Sequence, residues 1–130
     1  MTESLKTEGG FTYAEAGEGR PLLVLHGLMG ALSNFDKTFQ HFSERGYRVL
    51  IPELPLYTLP LLKTNVKNLA NFIHEFIEFK GLKNVTLLGN SLGGHIALYY
   101  TKYYPKDVHS LVLTGSSGLY EKAMGDSYPK

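Results

Sequence analysis

Gly89-Asn90-Ser91-Leu92-Gly93 sets one hydroxyl between two glycines, each two residues away. The run before it, Val85-Thr86-Leu87-Leu88, is β-type, and apolar residues at helical spacing follow it, so the serine falls where a strand turns sharply into a helix. There the glycines remove side chains that would collide as strand and helix draw together. The hydroxyl is lifted above the sheet edge, at the positive end of a helix. A serine so placed suits nucleophilic attack on a carbonyl carbon, and that chemistry also needs donors for the developing oxyanion. The backbone N–H of Leu92 is one. The second is expected from His26-Gly27-Leu28-Met29-Gly30, which bends the chain with two glycines after an apolar strand; the N–H of Leu28 is the candidate.

The elements that must hold these groups are legible as an alternation. Gly9-Gly10 before Phe11 is a two-residue hairpin signal and predicts a small antiparallel pair at a sheet edge. Leu22-Leu23-Val24-Leu25, Val49-Leu50-Ile51, Val85-Thr86-Leu87-Leu88 and Leu111-Val112-Leu113 are short, apolar on both faces and far apart, the pattern of parallel strands buried under helices. Between them, Ser33 with Asp36 can cap a helix whose stripe is Phe35, Phe39 and Phe42, ended by Gly46. Thr64 can open a second, with Val66, Leu69, Ile73, Phe76 and Ile77 on one face and Gly81 as its stop. A third begins after Ser91, presents Leu92, Ile96, Tyr100 and Tyr103, and is halted by Pro105. Strand and helix alternate throughout, which predicts a single α/β domain with a mostly parallel sheet, right-handed crossovers and helices on both faces. Residues 52–62 carry three prolines among many leucines. They leave the carboxyl end of a strand, where open α/β sheets bind ligands, and read equally as an apolar pocket wall or as simple packing under the next helix.

Composition narrows the partners. Thirteen basic against twelve acidic residues leave a net charge of +1 with no basic cluster, so neither nucleic acid nor an anionic membrane is expected, and the partner is a small molecule. There is no cysteine, hence no disulfide, thiolate metal site or cysteine nucleophile. The histidines lack ligand spacing and residues 89–94 do not fit the dinucleotide fingerprint, so no metal or organic cofactor is expected. Residues 1–10 are polar and no apolar run reaches membrane-spanning length; a cytoplasmic location is the default expectation.

The His-Gly pair at 26–27 after the third strand and the elbow at 89–93 after the fifth together resemble the α/β-hydrolase family over essentially the whole chain. The resemblance implies a serine hydrolase acting on an ester, thioester or related acyl substrate, with oxyanion donors at Leu28 and Leu92 and an acid and a histidine later in the chain. It also implies that His26 shapes the oxyanion loop. Gly89-Asn90-Ser91-Leu92-Gly93-Gly94 is similar, besides, to hydrolases that cleave carbon–carbon bonds in ring-opened aromatic products.

No histidine here is placed to act as the base. His95 lies one helical turn past Ser91, so its ring travels down the helix flank; His109 and Asp107 open the last strand, at the amino end of the sheet; His41 and His74 sit on earlier helices. Glu121 and Asp126 follow the last strand at an awkward spacing for the acid. The expectation is therefore that the 130 residues form the amino-terminal part of one hydrolase domain, inactive alone and completed by a carboxyl-terminal part that brings the acid and histidine. A non-catalytic binding protein of the same fold is the alternative of a different class. A strained elbow with both oxyanion loops favours the enzyme.

Overall fold

The computed structural model describes residues 5–26, 36–55 and 65–114. Six strands form one sheet in the order β1-β2-β4-β3-β5-β6. β1 (Leu5–Glu8) and β2 (Phe11–Ala16) pair antiparallel across the Gly9-Gly10 turn, as their sequence predicts, and β2 pairs antiparallel with β4 (Tyr47–Pro52). β3 (Arg20–Leu25), β4, β5 (Val85–Asn90) and β6 (Val108–Thr114) are parallel.

The double-sided apolar pattern of the central strands has a direct structural reading. Alternate residues of β3 and β4 face opposite ways: Leu23, Leu25 and Leu50 enter one core, and Leu22, Val24, Val49 and Ile51 enter the other. The first core lies under α2 (Val66–Lys80) and α3 (Leu92–Tyr103), the second under α1 (Asp36–Ser43), which contributes Phe39. Helices thus cover both faces of the sheet, the arrangement that buried parallel strands require.

Helix boundaries follow local chemistry, with three departures from the sequence reading. α2 is capped by Asn65, whose side chain accepts the N–H of Asn68 at 2.8 Å, one residue after the predicted cap; an extended backbone at Asn65 aims its carbonyl oxygen along the helix. At the other end Gly81 adopts φ 65° and donates to the last carbonyls, the stop its position predicts. On α3 the buried stripe is Gly93, Ile96, Ala97 and Tyr100, whereas Tyr103, expected on the same face, is 54% exposed. The helix seats its glycine side on the sheet, and its last turn runs clear of the core. The third departure is β6, expected to be buried on both faces: Val112 and Leu113 are exposed, because it is the outermost strand among the described residues. The predicted Ser33 cap lies outside the described residues, as do Thr64 and residues 56–62 of the proline-rich stretch; of that stretch Leu54 is buried in the core under α2 and α3. Among the described residues no helix is long and apolar enough to cross a membrane.

Candidate active site

β5 ends at Asn90 and α3 begins at Leu92, so a single residue, Ser91, makes the turn between them. Its backbone stands at φ 58° and ψ −119°, a conformation that non-glycine residues rarely hold and that costs on the order of 1–3 kcal/mol. The surroundings pin it there. The Ser91 N–H donates to the carbonyl of Thr114 at the end of β6 (3.3 Å), and its own carbonyl accepts the N–H of Gly94 (2.9 Å). Thr114 is tied back through its hydroxyl, which donates to Oδ1 of Asn90 at 3.3 Å. The Ser91 side chain is half-buried and makes no capping bond to α3, which leaves Oγ uncommitted to the helix it precedes.

The flanking glycines are required sterically. A Cβ on Gly89 would stand 2.5 Å from the carbonyl oxygen of Gly93 and 2.7 Å from the Cα of Gly94. One on Gly93 would overlap the carbonyl oxygen of Leu25 and stand 2.5 Å from its carbon. These are backbone atoms, of α3 in the first case and of β3 in the second, which no rotamer change can move aside. Gly94 differs: the nearest atoms to a Cβ there are at 3.6 Å or beyond, ordinary van der Waals contact. The glycine at 93 therefore lets the head of α3 lie directly on the end of β3, so the loop that leaves β3 starts beside the turn at Ser91.

The Leu92 amide occupies the first helical position, where no intrahelical acceptor exists, and the helix dipole adds partial positive charge. An N–H so placed can receive an anionic oxygen formed at Ser91. Leu28, the other expected donor, lies outside the described residues. The residue that opens its loop is described: His26 is buried, and its Nε2 accepts the N–H of Leu54 at 3.3 Å. That bond ties the end of β3 to the segment that follows β4. With this nitrogen engaged as acceptor, the imidazole braces the base of the loop that follows β3.

The remaining histidines stand away from the turn's hydroxyl or in other work. His95, on the first turns of α3, has a buried Nε2 with no hydrogen-bond partner among the described residues. His41 stacks edge-on against Phe42. His74 stacks on Tyr104 with ring centroids 4.2 Å apart, lies 3.2 Å from the Tyr100 hydroxyl and 2.7 Å from Glu78. Tyr100 in turn donates to Asp107 at 2.7 Å, and burial together with that bond raises the phenol's pKa far above its ordinary value. This cluster joins α2, α3 and the short 3-10 turn Pro105–Asp107 that precedes β6, at the end of the sheet opposite Ser91. Sequence reasoning set Asp107 aside by its position but did not foresee this bond, since nothing in the spacing of Tyr100 and Asp107 marks it. His109 likewise sits at the amino end of β6. Glu121 and Asp126 lie outside the described residues. The described residues thus bring together Ser91, the Leu92 amide and the end of β3, and bring no imidazole base to them.

Residues 20–128 match the family model for the alpha/beta hydrolase fold. The chain is 35% identical over 122 residues to a lipase of Psychrobacter immobilis, covering 88% of this chain and 38% of that protein. It is 31% identical over 114 residues to a 2-hydroxy-6-oxo-6-phenylhexa-2,4-dienoate hydrolase of Comamonas testosteroni, covering 82% of this chain and 40% of that protein. Among solved structures it is similar to an alpha/beta hydrolase enzyme from the metagenome of lagoon sediments at Mar Chica, Morocco. That match has 55% identity and a TM-score of 0.82, over 95% of this chain and 59% of the other. The chain therefore spans about two fifths of the length of those two curated relatives.

Proposed function

This chain belongs to the alpha/beta hydrolase family, and from that premise we propose that it carries the nucleophile of a serine hydrolase acting on an ester, thioester or related acyl substrate. Ser91 Oγ attacks the acyl carbonyl, and its proton passes to a histidine outside these 130 residues, held by an acid also outside them. The carbonyl oxygen becomes an oxyanion that accepts from the N–H groups of Leu92 and Leu28. Collapse expels the alcohol or thiol, which takes up the proton, and leaves an acyl group on Ser91; water, activated by the same imidazole, then releases the acid and restores the serine. The observation that carries this reading is the backbone of Ser91. A serine held at φ 58° in the turn between strand and helix stores strain that a pure binding pocket has no use for, whereas a nucleophile gains exposure from it.

A second reading has its own support: the match to the Comamonas testosteroni dienoate hydrolase, together with Gly-Asn-Ser-Leu-Gly-Gly at 89–94, favours carbon–carbon cleavage of a ring-opened substrate by the same machinery. A cytoplasmic location and a small-molecule substrate complete the proposal. The test is turnover by the complete protein of 4-nitrophenyl acyl esters and, in parallel, of a 2-hydroxy-6-oxodienoate. Ester turnover abolished in Ser91→Ala supports the first reading, and dienoate turnover alone supports the second. Turnover unchanged in Ser91→Ala refutes both, and no turnover of any acyl substrate by a folded complete protein returns the non-catalytic binding protein.

A further inference from the structure

At the end of the sheet opposite Ser91 an open surface pocket of about 370 Å³ is lined by Arg20, Lys83, Asn84 and His109, all exposed, and by the half-buried Pro21. It is built from the amino ends of three neighbouring parallel strands: Arg20 is the first residue of β3, Asn84 directly precedes β5, and His109 is the second residue of β6. The six residues of β5 separate it from Ser91 by roughly 20 Å. No lining residue is acidic, and among the described residues none of Arg20, Lys83 and His109 is paired with a carboxylate. Three other cations, Lys6, Arg48 and Lys80, do meet a carboxylate, that of Glu15. Here Arg20 Nη1 lies instead 3.5 Å from Nε2 of His109. A guanidinium has no acceptor, so this contact places the ring nitrogen in the acceptor role and leaves the other N–H groups of the fork unused.

We propose that this pocket binds a small ligand through an oxyanion, phosphate or carboxylate, at a site separate from Ser91. A guanidinium fork matches two oxygens of such a group, the Lys83 ammonium adds a point charge, and the Asn84 amide supplies a further donor. Concave surface of one sign concentrates the potential that draws an anion in. The pocket's size falls within the range of small-molecule sites and exceeds what a bare ion fills, so the ligand carries a body beyond its anionic group, against which the Pro21 ring offers an apolar wall.

The test follows the His109 ring resonances of the complete, isotope-labelled protein by NMR during titration with inorganic phosphate and, separately, with succinate, at constant ionic strength held by sodium chloride. The expected result is a saturable shift of His109 with at least one anion, weakened about tenfold or more in Arg20→Gln and in Lys83→Gln, each removing a charged donor. The side chain of Lys83 makes no bond within the described residues, so its variant carries the comparison even where Arg20→Gln disturbs the fold. Lys102→Gln, on exposed α3 surface, leaves the affinity unchanged. Tighter saturation by phosphate assigns a phosphoryl ligand and by succinate a carboxylate. A shift that saturates with neither, or an affinity unaltered in Lys83→Gln, overturns the proposal.

Discussion

Gly93 and Gly94 are adjacent, both buried and both helical, yet alanine should be tolerated at one and not at the other. At Gly93 the added Cβ would stand 2.5 Å from the Leu25 carbonyl carbon, and 3.1 Å from the carbonyl oxygen of His26. Carbon contacts are optimal at about 3.5 Å or more, so α3 must retreat by about 1 Å, and a gap of that size forfeits a quarter to a half of the dispersion energy of each contact it opens. The contacts at stake are those of Ile96, Ala97 and Tyr100, all fully buried beneath α3. Overpacking of this kind costs roughly 1–3 kcal/mol, and the upper end applies where the obstacle is backbone. Replacing a helical glycine returns about 1 kcal/mol through propensity. The net expectation for Gly93→Ala is a loss of about 2 kcal/mol, against a gain of up to about 1 kcal/mol for Gly94→Ala, whose Cβ meets nothing closer than 3.6 Å. Urea unfolding of the two variants of the complete protein, followed by tyrosine fluorescence and circular dichroism, measures the difference directly. Equal midpoints and slopes for the two would refute the close approach of α3 to β3, and with it the juxtaposition of Ser91 and the loop after Leu25.

Three further outcomes are expected. Burial pushes the Glu15 carboxyl up, but the hydrogen bonds from Arg48 and Lys80 outweigh it and hold its pKa below 4.5; for Lys80, burial pushes the ammonium down, while Tyr13 and Glu15 outweigh it and hold its pKa above 10.5. The carboxylate's contribution is thus fully present above 4.5 and lost as pH falls through the lower folded value, and that of Lys80 is fully present below 10.5 and lost as pH rises through the higher one. Glu15→Gln should therefore lower stability at neutral pH by about 2 kcal/mol and flatten the acid limb of a stability–pH profile; a loss constant down to the lowest pH would contradict this. Asn65→Ala should cost about 1 kcal/mol through the lost cap on α2, with Asn65→Asp restoring it, as thermal melts would show. Replacing the amide of residue 28 by an ester, which deletes the N–H alone, should lower kcat by roughly a hundredfold or more with little change in substrate binding; an unchanged kcat removes Leu28 as a donor.

What could be read from the sequence divides along physical lines. Signals carried by one residue's own backbone preference were legible: the Gly9-Gly10 turn, the Gly81 stop and the paired glycines around Ser91 each serve a local steric need. The double-sided apolarity of Leu22 to Leu25 fitted a buried parallel strand, because a strand covered by helices on both sides needs two apolar faces. Contacts between distant segments were not legible. The bond from Leu54 to His26, the Tyr100–Asp107 pair and the pocket that gathers Arg20, Lys83 and His109 depend on strand order, which no local pattern states. The misjudged face of Tyr103 has the same origin: helical periodicity gives the face, but the length of the sheet decides where burial stops. Ser91 was legible as a turn residue; its ties to Thr114 and Gly94 were not.

The nucleophilic role of Ser91 is tested most directly by treating the complete, folded protein with a fluorophosphonate and locating the adduct by peptide mass spectrometry. The strained turn leaves Oγ without a capping bond to α3, and activation by an imidazole should make it the reactive hydroxyl, so stoichiometric modification is expected on the peptide that contains Ser91, abolished in Ser91→Ala. Adducts elsewhere with Ser91 unmodified would contradict the nucleophile assignment.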